Sequence, residues 1–205
     1  MRTGILWCVL IAGVGLVFSG CAGVSPPPTY YLLGQSETLK PIYPALANLS
    51  IGVGPVTVPG HLDRPQIVTR TGRNTIAVSE FHRWGEALEH QLRRRLAMNL
   101  SALLQTPGVV IYPWERAMGP RYQVVVTVLE FGDTNDGAEL DAVWQLMDVA
   151  ADKCLMTRRF SIVTSVEGPG VDAYVTAQSV AFEAFTREIA KGIFELASAQ
   201  NPPGN

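Results

Sequence analysis

Two histidines and a glutamate recur every four residues and could, on a helix, offer imidazole and carboxylate ligands to a metal ion. They are His82, Glu86 and His90, and this spacing would place all three on one helical face. However, His82 and His90 would lie two turns apart, about 12 Å along the helix axis, which is too far for both to bind one ion. The spacing therefore predicts a solvated helix face and no metal site.

Other short motifs lack residues that their chemistry requires. DTNDG (133–137) begins like a calcium-binding loop but lacks the later glutamate, so a hairpin turn is expected. GVGPVT (52–57) has Thr57 where a dinucleotide-binding loop needs a third glycine, and its glycines are expected to serve strand geometry or close packing. Cys154 lies in a predicted strand and is expected to be a small buried residue. We therefore predict no catalytic residues and no enzymatic activity, although a triad assembled in space would leave no local signature.

The first twenty residues have the pattern of an export signal. Arg2 is followed by an apolar run from Ile5 to Phe18, which is shorter than the roughly 20 residues of a membrane span but suits a signal-peptide core. Small residues then lead into Cys21, an arrangement that resembles the lipobox of bacterial lipoproteins. A plain secretory signal and an N-terminal anchor helix are the alternatives.

In a lipobox, the signal is cleaved just before the cysteine, which carries a diacylglyceryl group and an N-acyl chain such as palmitate. The lipid on Cys21 is the only modification expected, and no cofactor is predicted. The next residue is Ala22 and not Asp, which in Gram-negative lipoproteins is typical of an outer-membrane address. The sequence therefore predicts a lipid-anchored protein on the periplasmic face of the outer membrane.

The chain divides into four parts on this interpretation. Residues 1–20 are the signal peptide, 21–28 are the lipidated cysteine and a proline-rich tether, 29–199 form one α/β domain, and 200–205 are a disordered tail. Three consecutive prolines favour an extended polyproline conformation in the tether. Cys154 is the only cysteine left in the domain, so a buried core and not a disulfide must stabilise it.

Charge is distributed unevenly along the chain. Without Arg2, 15 basic residues face 18 acidic ones, a net charge of −3 that argues against general nucleic-acid binding. Seven arginines and four acids lie between His61 and Arg95, whereas seven acids and no basic residue lie between Tyr122 and Asp152. These are solvated faces or surfaces through which copies pair head to tail, which would allow a homo-oligomeric ring. The run Arg93–Arg95 is expected to be a solvated helix face or a site for lipid headgroups.

Hydrophobic periodicity predicts two long helices and a mixed, largely antiparallel sheet. The helices are expected from the N-cap Ser79 to the Pro107-Gly108 stop and at 173–199. Strands are expected at 29–34, 49–59, 67–71, 75–79, 109–113, 121–133, 138–151 and 153–168. The run 121–133 is apolar on both faces, which indicates a central strand covered on both sides.

One segment carries an uncommon combination of residues between the second strand and the first helix. It contains Val58-Pro59, the run Leu62–Val68 (LDRPQIV), Arg70, and then FHRWGEAL at 81–88. Together with Cys21 and the YYLL strand (30–33), this segment resembles the hallmark region of the PqiC/YmbA family of auxiliary lipoproteins of ABC-type transport systems.

The resemblance implies a three-layer α/β fold, similar to anticodon-binding and TolB N-terminal domains, and a non-enzymatic role. Family members act with an MCE-domain periplasmic protein and an inner-membrane permease to move lipids or other hydrophobic molecules and maintain envelope integrity. A lipid-binding carrier with its own apolar cavity is the alternative. The residues expected to contact a partner are His61, Asp63, Arg64, Arg70, Arg83 and Trp84; the same residues could instead stabilise the fold.

Overall fold

The computed structural model describes residues 26–34, 39–44, 46, 48–115, 119–134 and 136–200. The signal peptide, the lipidation site Cys21 and residues 201–205 of the predicted tail 200–205 lie outside the described residues, and so they stay predictions. Residue 200 is helical. Pro26 to Pro28, the end of the tether, carry no regular secondary structure.

A small sheet of three strands forms the first part of the domain. Its strands are β1 (Thr29–Tyr31), β3 (Gln66–Gly72) and β4 (Thr75–Trp84), in the order β1-β4-β3. β1 pairs parallel to the end of β4, and β3 and β4, which contain the strands predicted at 67–71 and 75–79, form an antiparallel hairpin. β1 is shorter than the expected 29–34 because the chain leaves the sheet at Leu32.

A larger sheet of five strands holds the core. It contains β2 (Ile51–Thr57), β5 (Val109–Ile111), β6 (Tyr122–Thr134), β7 (Gly137–Asp148) and β8 (Lys153–Thr164), in the order β5-β2-β6-β7-β8. β5, β2 and β6 are mutually parallel, whereas β6, β7 and β8 form an antiparallel meander. The predicted mixed α/β class is confirmed, with the strands divided between two sheets.

Two helices, α1 (Leu88–Leu104) and α2 (Gly170–Gln200), contact each other and cover one face of the larger sheet. α1 buries the leucine stripe that the periodicity predicts, including Leu92, Leu96 and Leu100. The helix ends at Gln105, which has a left-handed backbone conformation and whose N–H donates to the Ser101 carbonyl. Burial of these apolar stripes against the sheet is the main source of the domain's stability.

The predicted start of the first helix is wrong. The chain from Thr75 to Trp84 is strand β4, and α1 begins only at Leu88. The Oγ of Ser79 does accept the N–H of His82 at 3.1 Å, three residues ahead, as a helix N-cap would. Here the bond closes an irregular stretch where the β3–β4 register shifts, between Val78 and Arg83, and the chain then continues as a strand.

Two expectations about burial are also wrong. β6 lies at the centre of the larger sheet, as predicted, but the helices cover only one of its faces. On the other face Thr127 is exposed and Val125 is half-buried. Cys154, expected to be buried, is exposed on the edge strand β8, where its Sγ lies 3.3 Å from the Thr157 hydroxyl. Cys154 is exposed because β8 is an edge strand, and Thr127 is exposed because no helix covers that face of β6.

An ion pair on this uncovered face should make stability depend on acid pH. The Arg159 guanidinium donates from Nε to Asp141 Oδ1 at 2.9 Å and from Nη2 to Oδ2, and Asp141 is buried. These hydrogen bonds hold the pKa of the Asp141 carboxyl below its ordinary value of 3.8. Because the folded-state pKa is depressed, the pair's contribution is fully present above the unfolded-state pKa and is lost as pH falls through the folded-state pKa.

Asp141→Asn is therefore expected to destabilise the protein near neutral pH and to make little difference in strong acid. Urea unfolding between about pH 6 and pH 2.5 would show the wild-type and Asn curves converging as the carboxylate is protonated. Asp136→Asn, in the exposed β6–β7 turn, controls for loss of one surface carboxylate. A constant difference across the whole range would contradict the role given to the Arg159 pair.

Candidate docking site

A surface cavity of about 430 Å³ opens where β1, the loop between β2 and β3, and the bend between β4 and α1 meet. Four residues chosen from the sequence line it: Asp63, Arg64, Arg83 and Trp84. The remaining lining residues are Tyr30, Pro65, Gly85, Glu86 and Ala87. The structure thus brings together two arginines, two acids and two aromatic rings from three separate segments, at residue 30, 63–65 and 83–87.

Backbone hydrogen bonds shape the loop that carries Asp63 and Arg64. The Leu62 N–H donates to the Pro59 carbonyl at 2.8 Å, and the Arg64 N–H donates to the Leu62 carbonyl at 2.8 Å. The Trp84 N–H then joins the loop to β4 by donating to the Pro65 carbonyl at 2.7 Å. The two prolines restrict the loop further because their φ angles are locked, so the exposed Asp63 and Arg64 are presented by a braced segment.

Trp84 forms the base of the cavity. Its side chain is 5% exposed, and its ring centroid lies 6.3 Å from that of Phe131 in the core. Trp84 is therefore an element of the fold as well as of the site, and its removal would disturb both.

The two arginines of the cavity have no acidic partner among the described residues. Neither Arg64 nor Arg83 takes part in an ion pair within the described ranges. Arg83 is half-buried, and its Nε is buried without a hydrogen-bond partner there. A buried N–H that stays unpaired costs free energy.

The rim at the bend is held by α1, which sequence reasoning missed. The Arg94 guanidinium pairs with the Glu86 carboxylate. The Gln91 side chain donates to the Glu86 carbonyl at 3.0 Å and accepts from the Leu33 N–H at 3.0 Å. Gln91, a polar residue in the first turn of α1 beside the apolar Leu92, is the one sequence signal that could have indicated that α1 holds the bend and the Leu33 backbone.

His61 and Arg70 do not line this cavity. His61 is half-buried in the preceding turn. Arg70, in β3, forms an ion pair with Glu130 of β6 at 2.9 Å, and its backbone N–H donates to the Asp133 carboxylate. Arg70 therefore joins the small sheet to the large one.

Exposed apolar residues on the β3–β4 hairpin are a further feature that the sequence did not single out. Ile76, Val78 and Phe81 of β4 are all exposed, and so are the residues from Arg70 to Thr75 across the turn. The hairpin projects from the domain with apolar side chains in solvent, as surfaces that meet a partner often do.

His82, Glu86 and His90 do not lie on one helix, although they are spaced four residues apart. His82 lies in β4, where its Nδ1 is 2.9 Å from the Tyr31 hydroxyl, and His90 lies exposed on α1. No group of three or more His, Cys, Asp or Glu residues arranged to hold a metal ion occurs in the described part of the chain. Neither α1 nor α2 is long and apolar enough to cross a membrane, the described residues alone being considered.

The basic and acidic segments meet within one chain where Arg70 pairs with Glu130. Arg93 and Arg94 instead pair with Glu89 and Glu86, two acids of the basic segment itself. The third residue of the arginine run, Arg95, donates to the Leu33 carbonyl at 2.6 Å. Part of the segregated charge is thus used inside the domain, and the run is mainly structural.

The chain is 30% identical over 132 residues to the intermembrane transport lipoprotein PqiC of Escherichia coli K12, covering 64% of this chain and 67% of that protein. A crystal structure of a Xanthomonas campestris protein shares the fold, with a TM-score of 0.71 at 16% identity, over 84% of this chain and 99% of that one. A second crystal structure matches with a TM-score of 0.64 at 24% identity, over 82% and 99% of the two chains. The family model for ABC-type transport auxiliary lipoprotein components matches residues 31–190, and the chain belongs to that family.

Proposed function

We propose that this protein is a non-enzymatic accessory subunit of an ABC-type intermembrane transport system that moves lipids or other hydrophobic molecules and supports envelope integrity. A diacylglyceryl and an N-acyl chain on Cys21 anchor it to the periplasmic face of the outer membrane. The domain docks an MCE-domain periplasmic protein, which connects it to an inner-membrane permease.

The observation that carries the proposal is the gathering of Asp63, Arg64, Arg83 and Trp84 around one cavity. Arginine and aromatic side chains are enriched among the anchor residues of protein interfaces, and here two arginines without an ion pair among described residues lie beside the exposed Tyr30 and the buried Trp84. Family membership supports the transport role, and the relative PqiC carries the name of an intermembrane transport lipoprotein. The cavity is open and partly charged, which suits docking better than the storage of a lipid in an apolar pocket.

The proposal includes a homo-oligomeric ring, but with fewer charged contacts between copies than the basic segment as a whole would provide. Arg70 is engaged within its own chain, so the exposed arginines of the basic segment left for contact between copies are Arg64 and Arg73, which form no ion pair with described residues. Contacts between copies in the ring would therefore depend on Arg64 at the cavity and Arg73 in the β3–β4 hairpin more than on the basic segment as a whole.

Arg64→Glu is expected to reduce co-purification of the MCE-domain protein at least about tenfold, equivalent to about 1.4 kcal/mol. The reason is that reversing a rim charge places like charges against the partner's complementary surface. The measurement is the amount of MCE-domain protein recovered with the native lipoprotein after mild detergent extraction. Folding should be unchanged because Arg64 is exposed and forms no ion pair among described residues.

Lys191→Glu is the matched control because Lys191 is also an exposed cation without an ion pair among described residues but lies on α2, outside the cavity. Recovery with this variant should stay within about twofold of wild type. Equal recovery with both variants would remove the cavity as the docking site. Failure of the wild-type protein to recover any MCE-domain protein would contradict the proposed function itself, and co-purified lipid bound to the domain would favour the carrier.

A further inference from the structure

A second surface feature, a groove of about 610 Å³, runs between β1 and the first half of α2. Its walls include Tyr30 and Leu32 on one side and Val175, Ser179 and Val180 on the other. Tyr30, Leu32 and Val180 are 62%, 55% and 52% exposed, more than any other large apolar side chain among the described residues. Three such side chains around one groove form an apolar face that no described residue covers.

The chain that carries this face is held in place. The Gly34 N–H donates to Ser179 Oγ at 2.9 Å, and Ser179 Oγ in turn donates to the Val175 carbonyl at 2.8 Å. Leu33, between the exposed Leu32 and Gly34, is 2% exposed, and its carbonyl accepts from Arg95 at 2.6 Å. Leu32 therefore points outward, because the adjacent Leu33 is buried and Gly34 is hydrogen-bonded to α2.

The length of the tether restricts where this face can be. Eight peptide steps separate Cys21 from Thr29, a span of at most about 29 Å. A domain of about 170 residues has a radius of gyration near 15.5 Å and so a diameter of about 40 Å. The tether is shorter than the domain is wide. A lipid on Cys21 would therefore keep the side that carries Thr29 and Tyr30 close to the bilayer.

We propose that the groove face formed by Tyr30, Leu32 and Val180 lies on the phospholipid bilayer to which Cys21 is attached. This inference rests on the lipid anchor of the proposed function and adds an orientation to it. Tyrosine and aliphatic side chains are favoured at the boundary between headgroups and acyl chains. The groove has one carboxylate, Asp172, so apolar contact and not attraction to anionic lipid would hold the face. The docking cavity, which Tyr30 also lines, would then open beside the membrane surface.

Quenching by brominated phospholipids would test this orientation in the full lipoprotein. The processed protein is reconstituted into vesicles of phosphatidylethanolamine and phosphatidylglycerol, and a bimane label is attached at a single cysteine. Two labelled variants, Leu32→Cys and Val180→Cys, carry Cys154→Ser as well. Both positions are exposed, so folding should be retained.

The wild-type protein labelled at Cys154 is the matched control. Cys154 is exposed and bonds to the Met156 carbonyl, and Met156 lies beside Gly192, twelve residues or about 18 Å of helix rise beyond Val180. Labels at 32 and 180 are expected to be quenched at least about twofold more than the label at 154.

Each outcome has a distinct meaning. Anchored protein in which all three labels are quenched equally overturns the orientation and leaves the proposed function intact. Protein that does not float with vesicles, or that floats equally well as Cys21→Ser, overturns the lipid anchor and the orientation together. Unquenched labels at 32 and 180 that become protected only when an MCE-domain protein is added would assign the groove to a protein partner, which also overturns the inference.

Discussion

Trp84→Ala is expected to lower the free energy of unfolding by about 3–5 kcal/mol, the usual range for truncating a buried tryptophan. Trp84 is 5% exposed, contacts Phe131 and lies where the two sheets, the loop and α1 meet. Its loss would leave a cavity under the proposed docking site, and such a cavity adds to the cost of the lost burial. Urea unfolding followed by far-UV circular dichroism measures the change.

Phe81→Ala is the control for this prediction because Phe81 lies three residues earlier on the same strand and is exposed. Its effect on stability should stay within about 0.5 kcal/mol. Similar losses in the two variants would mean that Trp84 is not part of the core. Since total stability is about 5–15 kcal/mol for a domain, Trp84→Ala can still fold, but reduced partner recovery in that variant would not identify a contact. Arg64→Glu is the cleaner test of docking.

Trp144→Ala is expected to have a similarly large effect, about 3–5 kcal/mol. Trp144 is fully buried on β7 and lies directly under Gly192 of α2, where an added Cβ would come within 2.5 Å of the ring. The glycine lets the helix approach the sheet closely, which explains why a residue of low helix propensity occurs in the middle of α2. Thermal unfolding measured by circular dichroism would report the loss.

Gly192→Leu supplies a matched test of this contact. Alone it should destabilise by about 1–3 kcal/mol or more because it overpacks the site. Combined with Trp144→Ala it should partly fill the space left by the ring. The double variant should therefore be less destabilised than the sum of the single changes by about 1–3 kcal/mol. Additive losses would show that the two residues are not in energetic contact.

Local sequence patterns were sufficient for most of the elements. The leucine stripe at spacings of four predicts α1, alternation predicts β7, and TNDG predicts the turn that joins β6 to β7, where Thr134 pairs with Gly137. Each of these signals depends on residues close together in the chain. The glycines of GVGPVT were also interpreted correctly as packing positions, since a Cβ on Gly52 would lie 2.5 Å from the Trp114 ring.

The boundary between β4 and α1 could not be obtained in this way. Trp84 is in phase with the leucines of α1, and Ser79 accepts a hydrogen bond from the residue three ahead, so both helix signals are present locally. The parallel pairing of β1 with β4, which joins Tyr31 to Trp84 across more than 50 residues, decides in favour of a strand. A pairing at that distance leaves no periodic pattern near either residue.

The sequence by itself determined the types of the elements, the family signature and the residues worth testing, because propensity, periodicity and turn chemistry act over a few neighbouring residues. Only the tertiary structure decided which of those residues meet. It gathered Asp63, Arg64, Arg83 and Trp84 around one cavity, moved Arg70 to an ion pair with Glu130, and left Cys154 exposed. It also placed the apolar groove at the end of the tether. These outcomes depend on how strands distant in the chain pair and on which sheet face the helices cover, and both are settled by burial of the whole core.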